Sequence, residues 1–206
     1  MKAVMLSIRP EWCQKIISGE KTIELRKSFP TADKVKTPFK CYIYCTQGTG
    51  AHTLNIPIRL ERIRDDYVNS GSMQSLNCPI GNGKVIGEFM CDALYWAVSH
   101  PDTFAGHPCF HRAAIESACM TMAQAQDYSK GKNVYGWHIS ELVIYDKPKE
   151  LYEFFVKCNE NCEDCDWWVS VKVNADEFDM DCSSPLYGYK PLKRPPQSWC
   201  YVEELT

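Results

Sequence analysis

Residues 3–8, Ala-Val-Met-Leu-Ser-Ile, form a short apolar run of strand length. Pro10 suits the first turn of a helix, where its missing N–H is no loss. Trp12, Cys13, Ile16 and Ile17 then fall at helical spacing, and Gly19 stands where a C-terminal cap is expected. From Lys21 to Arg26, apolar Ile23 and Leu25 alternate with Thr22, Glu24 and Arg26, the pattern of a half-buried strand. The same reasoning predicts strands over 39–46, 84–95, 134–145 and 198–203. It also predicts one helix across 110–126, entered through a loop rich in His, Pro and Gly. Residues 47–83 are polar and Gly-rich and read as a long insertion, with a short helix near 59–68. Several strands with few helices indicate an α+β domain on a small mixed sheet or barrel.

Composition narrows the class. The 206 residues are 45% hydrophobic and 24% charged, which excludes a disordered or low-complexity chain. No apolar run of membrane-spanning length occurs, and the N-terminus lacks the apolar stretch of a secretory signal. A cytoplasmic protein is therefore expected, with reduced thiols or metal-bound ones. That makes the twelve cysteines unusual. Charge is also unevenly spread. Residues 1–64 hold twelve Lys/Arg against five Asp/Glu, whereas residues 158–182 hold eight acids against Lys172 alone. A basic N-terminal part suits an anionic ligand such as a nucleotide or RNA, although a solvated face has the same composition.

The densest polar chemistry follows the first helix, in the spacing Gly19, Lys21, Glu24, Arg26. Arg holds an anion in a planar fork and Lys does so as a point charge. Glu24 can orient either cation, accept a hydrogen bond from a base edge or act as a general base. Strand parity puts Glu24 and Arg26 on one face, so Lys21 joins them only if it precedes the strand at its mouth.

This run resembles the opening of the ASCH domain, the activating-signal-cointegrator homology family of the PUA-like superfamily. Residues 6–12 (LSIRPEW) and 18–27 (SGEKTIELRK) carry the likeness and fill all four positions of G-x-K-x-x-E-x-R. Residues 40–46 (KCYIYCT), 84–88 (KVIGE), 137–145 (WHISELVIY) and 195–203 (PPQSWCYVE) further resemble prophage and Firmicute-type members. The resemblance implies a PUA-like β-barrel with flanking helices over 1–157, interrupted by the 47–83 insertion. It also implies a closing strand in 195–206, and leaves 158–194 as an acidic, Cys-rich appendage. It implies a basic cleft that takes RNA, a nucleotide or a modified nucleoside through Lys21, Glu24 and Arg26, with Arg9 and Tyr44 as further candidates. One branch of the family hydrolyses the acetyl amide of N4-acetylcytidine with a Lys, a Thr and a Glu. Lys21 matches its lysine, but its threonine falls on Glu24. An amidohydrolase here would need Glu24 to activate water while Lys21 stabilises the oxyanion. Glu88 and Glu61 are the candidates for its third member.

Aromatic side chains that could stack on a base adjoin these segments: Trp12, Tyr42, Tyr44 and Trp199. Each is equally a core residue by type, and Trp12 lies on the apolar helical stripe. Seven cysteines, at 13, 41, 45, 78, 91, 109 and 119, are scattered and read as small hydrophobes or inert thiols. Cys158, Cys162, Cys165 and Cys182 instead have the spacing of a structural four-thiolate zinc site, with Cys200 as a spare. Such a metal would fold the appendage, which would then offer a surface to a protein partner. His100, His107 and His111 frame the loop before the long helix and form a weaker metal candidate, while His138 alternates into a strand. No nucleophile elbow, P-loop or dinucleotide fingerprint is present. The expectations are thus a nucleic-acid or nucleotide-binding module first, a hydrolase second and a zinc-stabilised adaptor third.

Overall fold

A computed structural model describes residues 2–47, 82–99, 109–158 and 189–203. Strands β1 (Lys2–Ile8) and β3 (Phe39–Cys45) run parallel, with Leu6 opposite Ile43 and Ile8 opposite Cys45. Between them in sequence lie helix α1 (Pro10–Ile17) and strand β2 (Ile23–Arg26). Further along come β4 (Lys84–Cys91), β5 (Leu94–Ser99), β6 (Cys109–Phe110), α2 (Arg112–Ser117) and α3 (Met122–Ser129). The described chain continues through β7 (Val134–His138), β8 (Ser140–Lys149), a 3₁₀ turn (Leu151–Glu153), β9 (Phe155–Lys157), β10 (Tyr189–Pro191) and β11 (Trp199–Glu203).

These strands form two sheets. The larger has the order β10-β9-β11-β1-β3-β4-β8, and the smaller β2-β7-β5-β6. The expected α+β character holds, but the described strands do not close into a barrel. The expected single strands over 84–95 and 134–145 are each two strands that change sheet. The chain leaves β4 at Cys91 and enters β5 at Leu94, and it leaves β7 at His138 and enters β8 at Ser140. Strands that turn a corner between packed sheets in this way are a known solution to covering both faces. The expected helix over 110–126 is also divided. Ala118 ends the first part, Cys119 takes a left-handed φ of 57°, and Thr121 opens the second with a capping box to Gln124.

Parity explains the three apolar clusters. Val4, Leu6 and Ile8 of β1 and Cys41, Ile43 and Cys45 of β3 point toward the small sheet, where they meet Phe89, Trp137 and the α1 residues Cys13 and Ile16. Ala3, Met5, Tyr42 and Tyr44 point the other way, against Val85, Phe154 and Val202. Both faces of β1 and β3 are therefore covered, which is why these strands read as continuous apolar runs. The far face of the small sheet packs Ile23, Leu25, Ala97 and Val134 on Ala114, Ile115 and Ala118. The scattered thiols at 13, 41, 45 and 91 are buried, and burial pushes that of Cys91 up to about 12. Burial likewise raises Cys13 and Cys41, so these three thiols stay protonated, and all four pack as small apolar groups.

Two glycines mark close approaches. A Cβ on Gly87 of β4 would lie 2.4 Å from the backbone oxygen of Val143 in β8, and one on Gly136 of β7 would lie 2.8 Å from Ile23 Cγ2. A strand carbonyl cannot step aside, whereas the Ile23 methyl can shift by an adjustment of χ1. Gly87→Ala is therefore expected to lose at least the ~1–3 kcal/mol typical of overpacking. Gly136→Ala should lose less. Urea denaturation of the two variants checks the order, and an equal loss would mean that β8 can peel away from β4.

Candidate functional site

The G-x-K-x-x-E-x-R residues meet in one buried cluster. Lys21 precedes β2, at its mouth, while Glu24 and Arg26 share one face of the strand. All three are at most 7% exposed. The Glu24 carboxylate lies between the two cations, with Oε2 3.3 Å from Lys21 Nζ and Oε1 3.0 Å from the Arg26 guanidinium. Burying charges this deeply is costly unless each is paired and hydrogen-bonded, so the remaining valences matter.

Lys21 has none to spare. Its ammonium donates to the carbonyls of Ile23 at 2.8 Å and Ala118 at 3.0 Å as well as facing Glu24, and it lies 5.2 Å from the Trp12 ring centre. Three donors meet three acceptors. Arg26 has five N–H groups. Nη1 donates to Ser198 O at 3.1 Å and Ser198 Oγ at 3.3 Å, and Nη2 donates to Ser7 O at 2.9 Å and faces Glu24. The fifth group, Nε–H, is buried without a partner among the described residues. So is the indole Nε1–H of Trp137, which stands opposite Glu24 in the β2–β7 ladder. Glu24, Arg26 and Trp137 therefore share one face of the small sheet, and two unmatched donors lie on it beside a cluster of net charge +1.

The other candidates fall elsewhere. Tyr44 and Tyr42 are buried on the opposite face of the large sheet and do not join the cluster. Arg9 precedes α1 with an exposed side chain 3.9 Å from Glu11, and makes no contact with Glu24. Glu88 stands opposite Tyr42, on that same far face, where it pairs with Lys40 at 3.2 Å and accepts a bond from Tyr145 Oη. It cannot be a third member beside Lys21 and Glu24. Glu61 lies outside the described residues. Trp12 and Trp199 are half-buried against the inter-sheet core, and Trp199 Nε1 donates to Ser28 Oγ at 3.0 Å.

Cys158 is disulfide-bonded, whereas Cys162, Cys165 and Cys182 lie outside the described residues. A disulfide and a zinc thiolate are alternative uses of one sulfur. Cys200 is a free, half-buried thiol, pushed up to about 11 by desolvation. His111 sits at the N-cap of α2, and His100 and His107 are outside the described residues. Among the described residues no three His, Cys, Asp or Glu side chains converge as a metal site would require. His138 Nδ1 lies 2.6 Å from Asp92 Oδ1, joining the two corners where the chain changes sheet. That bond is the main reason the Asp92 carboxyl titrates below its ordinary range.

A set of aromatic residues was not apparent from the sequence. Arg26 stands opposite Tyr135, and Tyr135 opposite Trp96, so the three form one row across β2, β7 and β5. The Tyr135 ring centre is 4.8 Å from that of Trp96 and 4.7 Å from that of Phe29, just beyond β2. Trp96 is 50% exposed and Phe29 41%. These residues come from three separate segments, and only strand pairing brings them together.

No family model matches the chain, and no curated protein matches it. Among solved structures, the chain is similar to ASCH from Zymomonas mobilis, with 15% identity and a TM-score of 0.47 over 98% of this chain and 88% of that one. It is also similar to a tyrosine-to-phenylalanine mutant of that protein, at 15% identity and a TM-score of 0.43 over 99% of this chain and 92% of that one. A serine-to-alanine mutant matches at 14% and 0.41, over 98% and 89%.

Removing Lys21 should expose the interdependence of the cluster. Lys21→Met leaves Glu24 with one cation and two carbonyls without a donor, a change expected to cost about 3–5 kcal/mol. Adding Glu24→Gln should cost less in that background than in the wild type, where it leaves two cations facing each other, with a coupling above about 1 kcal/mol between the two sites. Chemical denaturation of both single variants and the double variant measures it, and strict additivity would show that the two side chains are energetically independent.

Proposed function

We propose that the face of the small sheet around Arg26 captures a nucleotide, a modified nucleoside or single-stranded RNA. The observation that carries this reading is the pair of unmatched buried donors, Arg26 Nε–H and Trp137 Nε1–H, beside a cation excess. A buried donor without an acceptor costs about 1–3 kcal/mol, and a phosphoryl or carbonyl oxygen would remove that cost. The Arg26 fork is already fixed by Ser7 and Ser198, so the guanidinium itself needs no further ordering, and only the side chains covering Nε must part to admit an oxygen. Lys21, whose donors are all occupied, serves in this reading to hold Glu24 in place rather than to touch the ligand. The resemblance of residues 18–27 to the ASCH motif supports the same location. The twelve-to-five excess of Lys/Arg over Asp/Glu in residues 1–64 supports an anionic partner.

Acetyl-amide hydrolysis has less support, because Glu88 lies on the far face of the large sheet and Glu24 accepts from both cations. Equilibrium binding of a single-stranded RNA oligonucleotide across a salt series tests the main proposal. Affinity should fall as salt rises, with a log–log slope of about −0.7 for each phosphate neutralised. Arg26→Lys keeps the charge but removes Nε and the planar fork, and should weaken binding about tenfold or more. Salt-independent binding that is unchanged in Arg26→Lys would overturn the placement. Release of acetate from N4-acetylcytidine by the same preparation would instead favour the hydrolase.

A further inference from the structure

Building on the binding role proposed above, we infer that the row of rings Phe29–Tyr135–Trp96 is a stacking platform, and that the ligand class is an unpaired strand of two or more nucleotides rather than a mononucleotide. The two outer rings are each more than two-fifths exposed, although large aromatic side chains are ordinarily buried. They flank a half-buried Tyr135 at 4.7 and 4.8 Å. Their planes are tilted from that of Tyr135 by 73° and 50°, so no continuous flat surface joins them. Separate bases are therefore needed to cover Phe29 and Trp96. A duplex, whose bases are already stacked and paired, cannot offer its ring faces to either.

Charge identifies the occupant. Phe29 belongs to the segment 27–38, in which Lys27, Lys34 and Lys36 are exposed against the one acid Asp33. Arg26 begins the aromatic row on the buried side. An apolar ledge for a protein partner would not need cations at this density, whereas a backbone carrying one phosphate per residue does. The segment is also held in position. Ser28 Oγ accepts from Trp199, Thr31 N donates to Tyr201 Oη at 3.2 Å, and Lys34 lies 5.2 Å from the Tyr201 ring centre. Phe29 is thus presented from an anchored loop, which lowers the ordering cost of binding.

The test compares adenosine monophosphate, a four-nucleotide oligoadenylate and a duplex RNA of similar length, each titrated into the full chain at low salt. The oligoadenylate should bind at least about 100-fold more tightly than the monophosphate, and the duplex should not compete. Trp96→Ala and Phe29→Ala should each reduce the ratio of oligomer to monomer affinity by about tenfold or more. Trp96→Phe should restore most of that ratio. Both residues are exposed at the surface, and far-UV circular dichroism verifies that the three variants remain folded. Equal affinity for monomer and oligomer, unaffected by either alanine variant, would overturn the platform while leaving nucleotide capture at Arg26 standing. Binding of neither probe would overturn both. A dimer seen by sedimentation that Trp96→Ala dissociates would reassign the ledge to self-association and also overturn the inference.

Discussion

Glu24 is the point through which three parts of the molecule are joined. Its carboxylate holds Lys21, whose ammonium also binds Ala118 at the end of α2. It holds Arg26, whose guanidinium crosses to Ser7 in β1 and to Ser198 before β11. One buried anion thus links the helical layer, the small sheet and the centre of the large sheet. Neither cation could remain in the interior without it, since an unpaired charge there costs more than the contacts around it return. The spacing of Lys21, Glu24 and Arg26 follows from this geometry. Alternation places Glu24 and Arg26 on one face, and a position before the strand lets the shorter path of Lys21 reach the same carboxylate.

The second organising constraint is the change of sheet at 92–93 and at 139. Periodicity shows which side of a strand is apolar, and that pattern continues across each corner because both sheets bury a face there. The sequence of 84–95 or 134–145 therefore looks like one long strand. The hydrogen bond between Asp92 and His138 spans both corners, but two residues 46 positions apart carry no local signal of being partners. The break in the helix over 110–126 is different. Thr121 and Gln124 have the spacing of a capping box, and that local signal was available.

The charged part of the candidate site was legible because it lies within eight residues of a motif. The aromatic part was not. Tyr42 and Tyr44 adjoin a family-like segment, yet β3 is covered on both faces and buries them. The row of rings comes from residues 29, 96 and 135, which become neighbours only through the β2–β7 and β7–β5 registers. Tyr95 and Trp96 lie on β5 of the smaller sheet, and sequence alone does not say that this strand leaves its rings exposed.

The pairing of β1 with β11 has a temporal consequence. Leu6 lies opposite Trp199 and Ala3 opposite Val202, so a central strand made early takes one of its neighbours from residues made nearly two hundred positions later. Until those residues leave the ribosome, one edge of β1 has no partner in β11, and contacts of such long range form slowly. Ser198, which fixes the Arg26 fork, arrives with the same segment. A nascent chain could therefore form most of its core before it has an ordered Arg26. The bonds that fix the Arg26 guanidinium would then form only after Ser198, 172 positions further along the chain, has been made.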